Sequence, residues 1–419
     1  MGFHNAAVWL ISLTSIALVL LRPKRLAEAW WASAGACLLV LSRLISVRAA
    51  IDAVRKGLDV YFFLVGMMIM SELARREGVF DWVAGHAVRA SRGSQSRLFL
   101  LIYIVGTVVT VFLSNDATAV VLTPAVLAAV RAAGAEPLPY LLICAFIANA
   151  ASFVLPISNP ANLVVYGAGM PPLGIWLLTF GVPSVASIIV TFLVLRWLLD
   201  KHLLSETKTD VDGQPLSAAG RLTLYGIAFL ALVLMTASAF NVDLGAPAFA
   251  AGTIIAAAVS FRDYATPLDL AKEISWSVLP LVAGLFVIVE AISSAGALGV
   301  ATHILVVMSH WPTVQAITAS SFGVAFLSNL MNNLPSGLIS GAAVKAAGTV
   351  GPLRDSVLIG VDLGPNLSVT GSLATILWLL AIRREGLHVS FWRFLQFGAL
   401  VMPPALALSV LSLLLGSSK

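Results

Sequence analysis

Apolar runs of about twenty residues, the length that crosses a bilayer as one helix, follow one another along almost the whole chain. Residues 6–21, 30–41, 183–199, 222–239 and 394–415 each form such a run or a large part of one. Four polar clusters break the pattern from inside it. They are Ser114, Asn115, Asp116 and Thr118; Ser158, Asn159 and Asn162; Ser328, Asn329, Asn332 and Asn333; and Asp362, Asn366, Ser368 and Thr370. Ionisable and amide side chains are costly in hydrocarbon and face protein or a water-filled cavity, so each cluster points to a functional interior.

The pattern occurs twice. Gly66, Glu72 and Gly78, around VGMMIMSEL, have the same spacing as Gly284, Glu290 and Gly296, around AGLFVIVEA. FLSN recurs, with Ser114 and Asn115 in the first copy and Ser328 and Asn329 in the second. SNPANLVV around Asn162 and GPNLSVTG around Asn366 then follow in the same order, which argues for a duplicated half. The first half, 1–199, predicts spans near 6–21, 27–45 and 58–75, a helix-break-helix element at 98–131, an interrupted span at 138–170 and a last span at 173–199. The second, 221–419, predicts spans near 221–240, 245–262 and 276–292, a broken element at 313–346, an interrupted span at 355–382 and a last span at 392–415. If the broken elements are re-entrant hairpins, each half has about five transmembrane helices plus one hairpin. An odd number of crossings makes the halves antiparallel, an inverted-topology repeat. If the broken elements span instead, the total is twelve. In both cases the fold class is an all-α polytopic membrane protein.

Composition agrees: of 419 residues 59% are hydrophobic and 11% charged, against about 25% charged in soluble domains, and mean hydropathy is +0.97. The net charge of +5 sits at the ends of apolar segments, where it orients the chain rather than binding nucleic acid. The longest hydrophilic stretch, 200–220, reads as a linker between the halves. Most of the 25 Lys and Arg, among them Arg22, Arg75, Arg131, Arg196, Arg221 and Arg383, fall on the linker's side of this topology. The positive-inside rule therefore places the linker in the cytoplasm and both termini outside, with Arg43, Arg48, Arg55 and Lys56 as the misfit. Residues 6–21 lack a basic stretch before them and precede Arg22, Lys24 and Arg25, the mark of a retained span rather than a cleaved signal. Cys37 and Cys144, both in apolar runs, form neither a disulfide framework nor a metal motif, and the six His lack ligand spacing. GxxxxGK[ST], GxSxG and CxxC are absent, so no cofactor, P-loop ATPase or hydrolase chemistry is indicated.

A helix broken within the membrane exposes backbone N–H and C=O groups, tolerable only beside protein or a water-filled cavity. At the breaks of this chain neutral amides and hydroxyls dominate, Asp116 and Asp362 are the only acids, and no Lys or Arg occurs. Such donors and acceptors suit a small hydroxylated solute better than a dicarboxylate, which would call for a matched cation. Asp116 could exchange a proton with the cavity or ligate a cation, and the residues alone leave both open. Ser and Asn at a break also serve as helix caps, while Pro124, Pro160, Pro335 and Pro365 end or kink helices. Glu72 and Glu290 read as span-end residues, with a proton-relay role as the alternative.

FLSNDATAVVLTP, SNPANLVV, NLMNNLPSGL and DLGPNLSVTGSLATILW together resemble the arsenical pump membrane proteins, arsenite efflux permeases within the ion transporter superfamily. The resemblance covers nearly the whole chain. It implies two opposed re-entrant hairpins and two interrupted helices meeting near the bilayer midplane of the cytoplasmic (inner) membrane. It also implies export of arsenite or antimonite in exchange for protons, in some members with a soluble arsenite-stimulated ATPase as partner. By position, Ser114, Asn115 and Asp116 would form the inner hairpin tip, with Thr118 beside it. Ser328, Asn329, Asn332 and Asn333 would form the outer tip, and Asn159, Asn162 and Asn366 the breaks that face them. Asp116 and Asp362 would couple protons. Sodium-coupled dicarboxylate relatives carry Ser-Asn-Thr at both tips, whereas this chain has Asp116 and Leu330 there. A sodium/proton antiporter of the same superfamily, with both Asp as cation ligands, is the alternative function.

Overall fold

The computed structural model describes residues 3–21, 23, 26–204, 206, 208, 215–263 and 267–416. Arg22, Lys24, Arg25 and the middle of the linker, 209–214, lie outside the described residues. The first half runs α1 (Phe3–Leu21), α2 (Glu28–Leu41), α3 (Val47–Lys56), α4 (Leu58–Arg76), α5 (Val79–Ser91), α6 (Gln95–Leu113), α7 (Asn115–Ala117), α8 (Thr123–Ala132), α9 (Pro137–Ala150), α10 (Pro160–Tyr166) and α11 (Leu173–Leu198). The second runs α12 (Ala218–Ala239), α13 (Gly245–Asp263), α14 (Pro267–Glu273), α15 (Val278–Ile292), α16 (Leu298–Met308), α17 (Thr313–Met331), α18 (Asn333–Ala346), α19 (Pro352–Leu363), α20 (Leu373–Arg384) and α21 (Phe391–Gly416). Among the described residues seven helices are long and apolar enough to cross a membrane, or eight if α3 and α4, bent by 48°, count as one. The chain is an all-helical, multi-pass membrane protein.

Two differences from the sequence reading stand out. α5 and α16 were not expected; each follows a glycine in the left-handed region, Gly78 (φ 69°) and Gly296 (φ 111°). These are the glycines of the repeated spacing, and their φ is one that other residues avoid. α3, which carries the misfit charges Arg48, Arg55 and Lys56 and falls between the expected spans, is a polar helix with only Ala50 and Ala53 buried, bent by 48° from α4. Its charges are therefore those of a short helix lying beside the bundle.

The halves pack reciprocally. α2 lies along α15, α4 lies along α13, and the two last helices, α11 and α21, lie along each other. Small residues make the first two contacts close enough to be backbone on backbone. A methyl added at Gly284 would sit 2.7 Å from the carbonyl carbon of Ala32, and one at Gly252 would sit 2.8 Å from the carbonyl oxygen of Gly66. At Gly66 itself it would run into the backbone of Ala248 and Phe249. Lipid offers no hydrophobic drive between helices, so such close van der Waals contact is what holds them. Gly66→Leu is expected to separate α4 from α13 and to cost more than the ~1–3 kcal/mol of ordinary overpacking. Loss of most of the monodisperse protein in detergent size-exclusion chromatography, with Gly174→Leu, where added atoms meet open space, behaving as wild type, checks this.

The interrupted helices form the centre of the bundle. Residues 151–159 separate α9 from α10, and 364–372 separate α19 from α20. A backbone carbonyl freed there is used by a buried indole: Trp176 Nε1 donates to Phe153 O at 3.1 Å. Trp378 Nε1 donates to Leu141 O, near the start of α9, at 2.8 Å. Buried Trp needs such a partner for its N–H. Leu178, Leu193 and Trp197 on α11 point outward and are exposed, as lipid-facing residues would be.

Candidate functional site

Two backbone breaks create the site. After α6 the chain turns at Ser114 (φ 103°) and resumes as helix at Asn115; after α17 it turns at Asn332 (φ 76°) and resumes at Asn333. A non-glycine residue held at such φ stores strain, which persists only where surroundings fix it. Here the fixing groups are visible. Asn332 Oδ1 accepts from Leu334 N at 3.3 Å, and Asn333 N donates to Gly371 O at 2.9 Å. The second tip is thus bound to the break of its own half's interrupted helix. The first tip is held likewise: Ser158 Oγ, in the break after α9, donates to Val111 O at 3.0 Å, and Thr110 and Thr118 hydroxyls meet at 2.8 Å across the turn.

The sequence pairing of the tips is off by one helical turn. FLSN matches Ser114 with Ser328, but the second break lies at Asn332, so Asp116 has Leu334 as its counterpart, not Leu330. Leu330 lies on α17 and is 73% exposed. Asn329, a turn before the break, donates from Nδ2 to Ala325 O and Gly364 O at 2.7 and 2.9 Å and accepts from Ser368 at 2.7 Å. Thr370 Oγ1 also donates to Asn329 O at 3.0 Å. Asn329 therefore ties α17 to the second interrupted helix and presents no free amide.

Between the tips lies a narrow space lined by Asn115, Asp116, Asn159 and Asn333, with an apolar remainder that includes Leu64, Val282 and Leu373. Asn115, Asn159 and Asn333 are all buried, and Asn115 Oδ1 has no hydrogen-bond partner. Asn159 faces both ways. Its Oδ1 caps α10 by accepting from Ala161 N at 3.0 Å, and its Nδ2 donates to Asp362 Oδ1 at 2.9 Å. A wider vestibule of about 660 Å³ adjoins through Asp116 and Pro160 and adds Ser71, Glu72, Ser114 and Ser275. Among the described residues no Lys, Arg or His lines either space. Among the described residues no group of three or more His, Cys, Asp or Glu could hold a metal ion.

Of the residues singled out in the sequence, Asn115, Asp116, Asn159 and Asn333 come together on this wall, and Ser114 joins them in the vestibule. The other residues of the four polar clusters line neither space. Asn162 Nδ2 donates to the carbonyls of Ser152, Leu155 and Pro156, at 2.9 to 3.3 Å, which the break leaves free. Asn332 caps α18, Thr118 pairs with Thr110, and Ser328 Oγ is buried without a partner. Asp362 lies behind Asn159, reached by one oxygen, with Oδ2 unpartnered.

Asn366 belongs to a link between the halves that sequence reasoning missed. Asn149 Nδ2 donates to Asn366 Oδ1 at 3.0 Å, Ser372 Oγ donates to Asn149 Oδ1 at 3.1 Å, and Asn366 Nδ2 donates to Phe146 O at 3.0 Å. Asn149 is fully buried at the end of α9; its one signal in the sequence is an amide at the end of an apolar helix, where a break must follow. Asn366→Ala leaves Asn149 Nδ2 without its partner and is expected to cost ~1–3 kcal/mol. A lower midpoint in a thermal-shift assay in detergent, with Asn366→Asp milder than Ala, checks it.

Known proteins share this sequence and architecture. The family model described as citrate transporter matches residues 16–364. The chain is 27% identical over 421 residues to an arsenical pump membrane protein of Escherichia coli and 26% identical over 427 residues to one of Yersinia enterocolitica. Each alignment covers 97% of both chains. The structure of the YdaH transporter of Alcanivorax borkumensis, described as having an unusual topology, is similar with a TM-score of 0.53 at 16% identity. That likeness covers 88% of this chain and 86% of that one and speaks for the fold alone. With a family match over most of its length and this helical fold, the chain is a membrane transporter and belongs to the citrate transporter family.

Proposed function

We propose that this protein is a secondary active transporter that exports arsenite, and antimonite, across the cytoplasmic membrane in exchange for protons. The observation that carries the reading is the cavity wall: three buried amides and one carboxylate, with no cation. Citrate and other polycarboxylates would need a matched cation there, since an unpaired charge is costly to bury. Arsenite near neutral pH is As(OH)3, an uncharged solute with three hydroxyls, and amides both donate to and accept from hydroxyls. The name arsenical pump membrane protein, carried by relatives aligned over 97% of both chains, points the same way.

In this mechanism Asn115, Asn159 and Asn333 hold the solute and Asp116 carries the proton. A wall without a thiolate cluster lets the solute leave. Each half contributes five crossings and a re-entrant hairpin, α6 to α8 in the first and α17 to α18 in the second, and the halves are inverted, with the linker cytoplasmic. The 19-residue arms α6 and α17 are long for a re-entrant hairpin, each being long and apolar enough to span by itself. The hairpins and interrupted helices move as one unit against the remaining spans, and the vestibule beside Glu72 is the cytoplasmic way in.

A sodium/proton antiporter is the second reading. Asp116 and the unpartnered Asn115 Oδ1 are oxygen donors of the kind a cation takes. Cells that lack their own arsenite exporter, carrying this protein, test the choice. Resistance to arsenite and antimonite, with the protein detected in the membrane, is the expected result. No gain in metalloid resistance, with a gain in sodium tolerance at alkaline pH, would replace it with the antiporter.

A further inference from the structure

A second carboxylate shares the vestibule with Asp116. Glu72, near the end of α4, lines the same cavity of about 660 Å³ as Ser114 and Asp116. Its side chain is 13% exposed. Glu290, at the matching place on α15, lines neither this vestibule nor the cavity between the tips. Lys56 Nζ, from α3, holds it at 2.8 Å. The two acids of the repeated motif therefore have different surroundings: one faces the path to the site and the other closes against a cation.

The partners of Glu72 also differ in kind. Arg75, one turn further along α4, is ion-paired with Glu72 and bridges to Glu273 Oε2, at the end of α14, at 2.7 Å. These are the charged groups that meet Glu72, with Asp116 on the same cavity wall. One guanidinium shared by two carboxylates stays paired when either of them takes up a proton. Glu72 can therefore change charge without leaving an unpaired cation in a partly buried place, whose cost would otherwise resist the change.

We propose that Glu72 is the proton station between Asp116 and the water at the vestibule mouth, with Arg75 and Glu273 keeping its charge balanced. The proposal rests on the proton-coupled reading above. The O–H bond of Asp116 breaks as cavity water accepts the proton, the excess proton passes to a Glu72 oxygen, and Glu72 then releases it to the water at the cytoplasmic vestibule mouth. No electrons move, and the net transfer is one proton per Asp116 cycle. A cavity of this volume, lined by Ser71, Ser114 and Ser275 as well as the two acids, has polar partners enough to order such water.

Purified wild type, Glu72→Gln, Glu72→Asp and Glu290→Gln in proteoliposomes provide the test, with two readouts. Arsenite accumulation driven by a pH gradient requires the proton steps; arsenite-for-arsenite exchange without a gradient does not. Glu72→Gln is expected to slow driven accumulation at least roughly tenfold, as loss of a positioned proton-transfer group does, and to leave exchange within about twofold of wild type. Glu72→Asp should recover part of the driven rate, and Glu290→Gln should keep most of both. Full driven transport in Glu72→Gln, or equal loss of exchange and driven transport with no recovery in Glu72→Asp, would overturn the proposal alone. A wild-type protein that moves no arsenite under a pH gradient would overturn the transport reading and the relay together.

Discussion

Replacing Asp116 with Asn is expected to leave a protein that equilibrates arsenite but cannot concentrate it. A pH difference of one unit is worth about 1.4 kcal/mol per proton. At one proton per neutral solute and no membrane potential, wild type should then hold about a tenfold arsenite gradient. Asp116→Asn should fall to a ratio of about one. Asn keeps the size and polarity of the side chain, and no hydrogen bond to the Asp116 carboxylate is needed to hold the tip, which Thr110 and Thr118 close instead. Unaltered chromatographic behaviour of the variant, together with the flat accumulation ratio in vesicles, is the outcome to look for; a preserved tenfold ratio would remove Asp116 from coupling.

The second large effect concerns the amides. Asn115→Ala and Asn333→Ala each remove one side-chain partner of the solute from the cavity wall. A hydrogen bond to a neutral group contributes ~0.5–1.5 kcal/mol, so each variant should raise the half-saturating arsenite concentration by about threefold to tenfold and change the maximal rate little. The double variant should approach the product of the two, since the residues follow different helix breaks. Asn329→Ala behaves differently. Its amide ties α17 to Gly364 and Ser368, so its loss should lower thermal stability more than affinity. Concentration dependence of uptake beside melting curves for the three variants separates the roles.

Much of the site was legible because membrane burial makes polar residues conspicuous. An Asp and an amide within FLSNDATAVVLTP had to mark a cavity, and Asn115 and Asp116 do line one. The second tip was harder. Ser328, Asn329, Asn332 and Asn333 together read as the outer tip, and FLSN pairs Asp116 with Leu330, whereas the backbone breaks within that set at Asn332 (φ 76°), beside an Asn333 N–H held by the Gly371 carbonyl that no local pattern records. Asn162 and Asn366 drew attention as polar residues at breaks. Breaks, however, expose carbonyls as well as create sites: Asn162 Nδ2 donates to the carbonyls of Ser152, Leu155 and Pro156 while its Oδ1 is buried without a partner, and Asn366 Nδ2 donates to that of Phe146. The repeated Gly-Glu-Gly spacing carried more than expected. Gly66 and Gly284 are close-contact points between helices, and Gly78 and Gly296 are kinks. α5 and α16, which follow those kinks, are too short to stand out from the spans before them in a hydropathy pattern.

The central claim is that this cavity carries a neutral metalloid at the expense of a proton gradient. Purified protein in proteoliposomes, with an imposed pH gradient, arsenite supplied outside, and sodium either present or absent, tests it most directly. The account predicts arsenite accumulation that follows the size and direction of the pH gradient, collapses with a protonophore and is the same without sodium. Proton flux that requires sodium and ignores arsenite would contradict it, and Asn115, Asn159 and Asp116 would then be ligands of a cation.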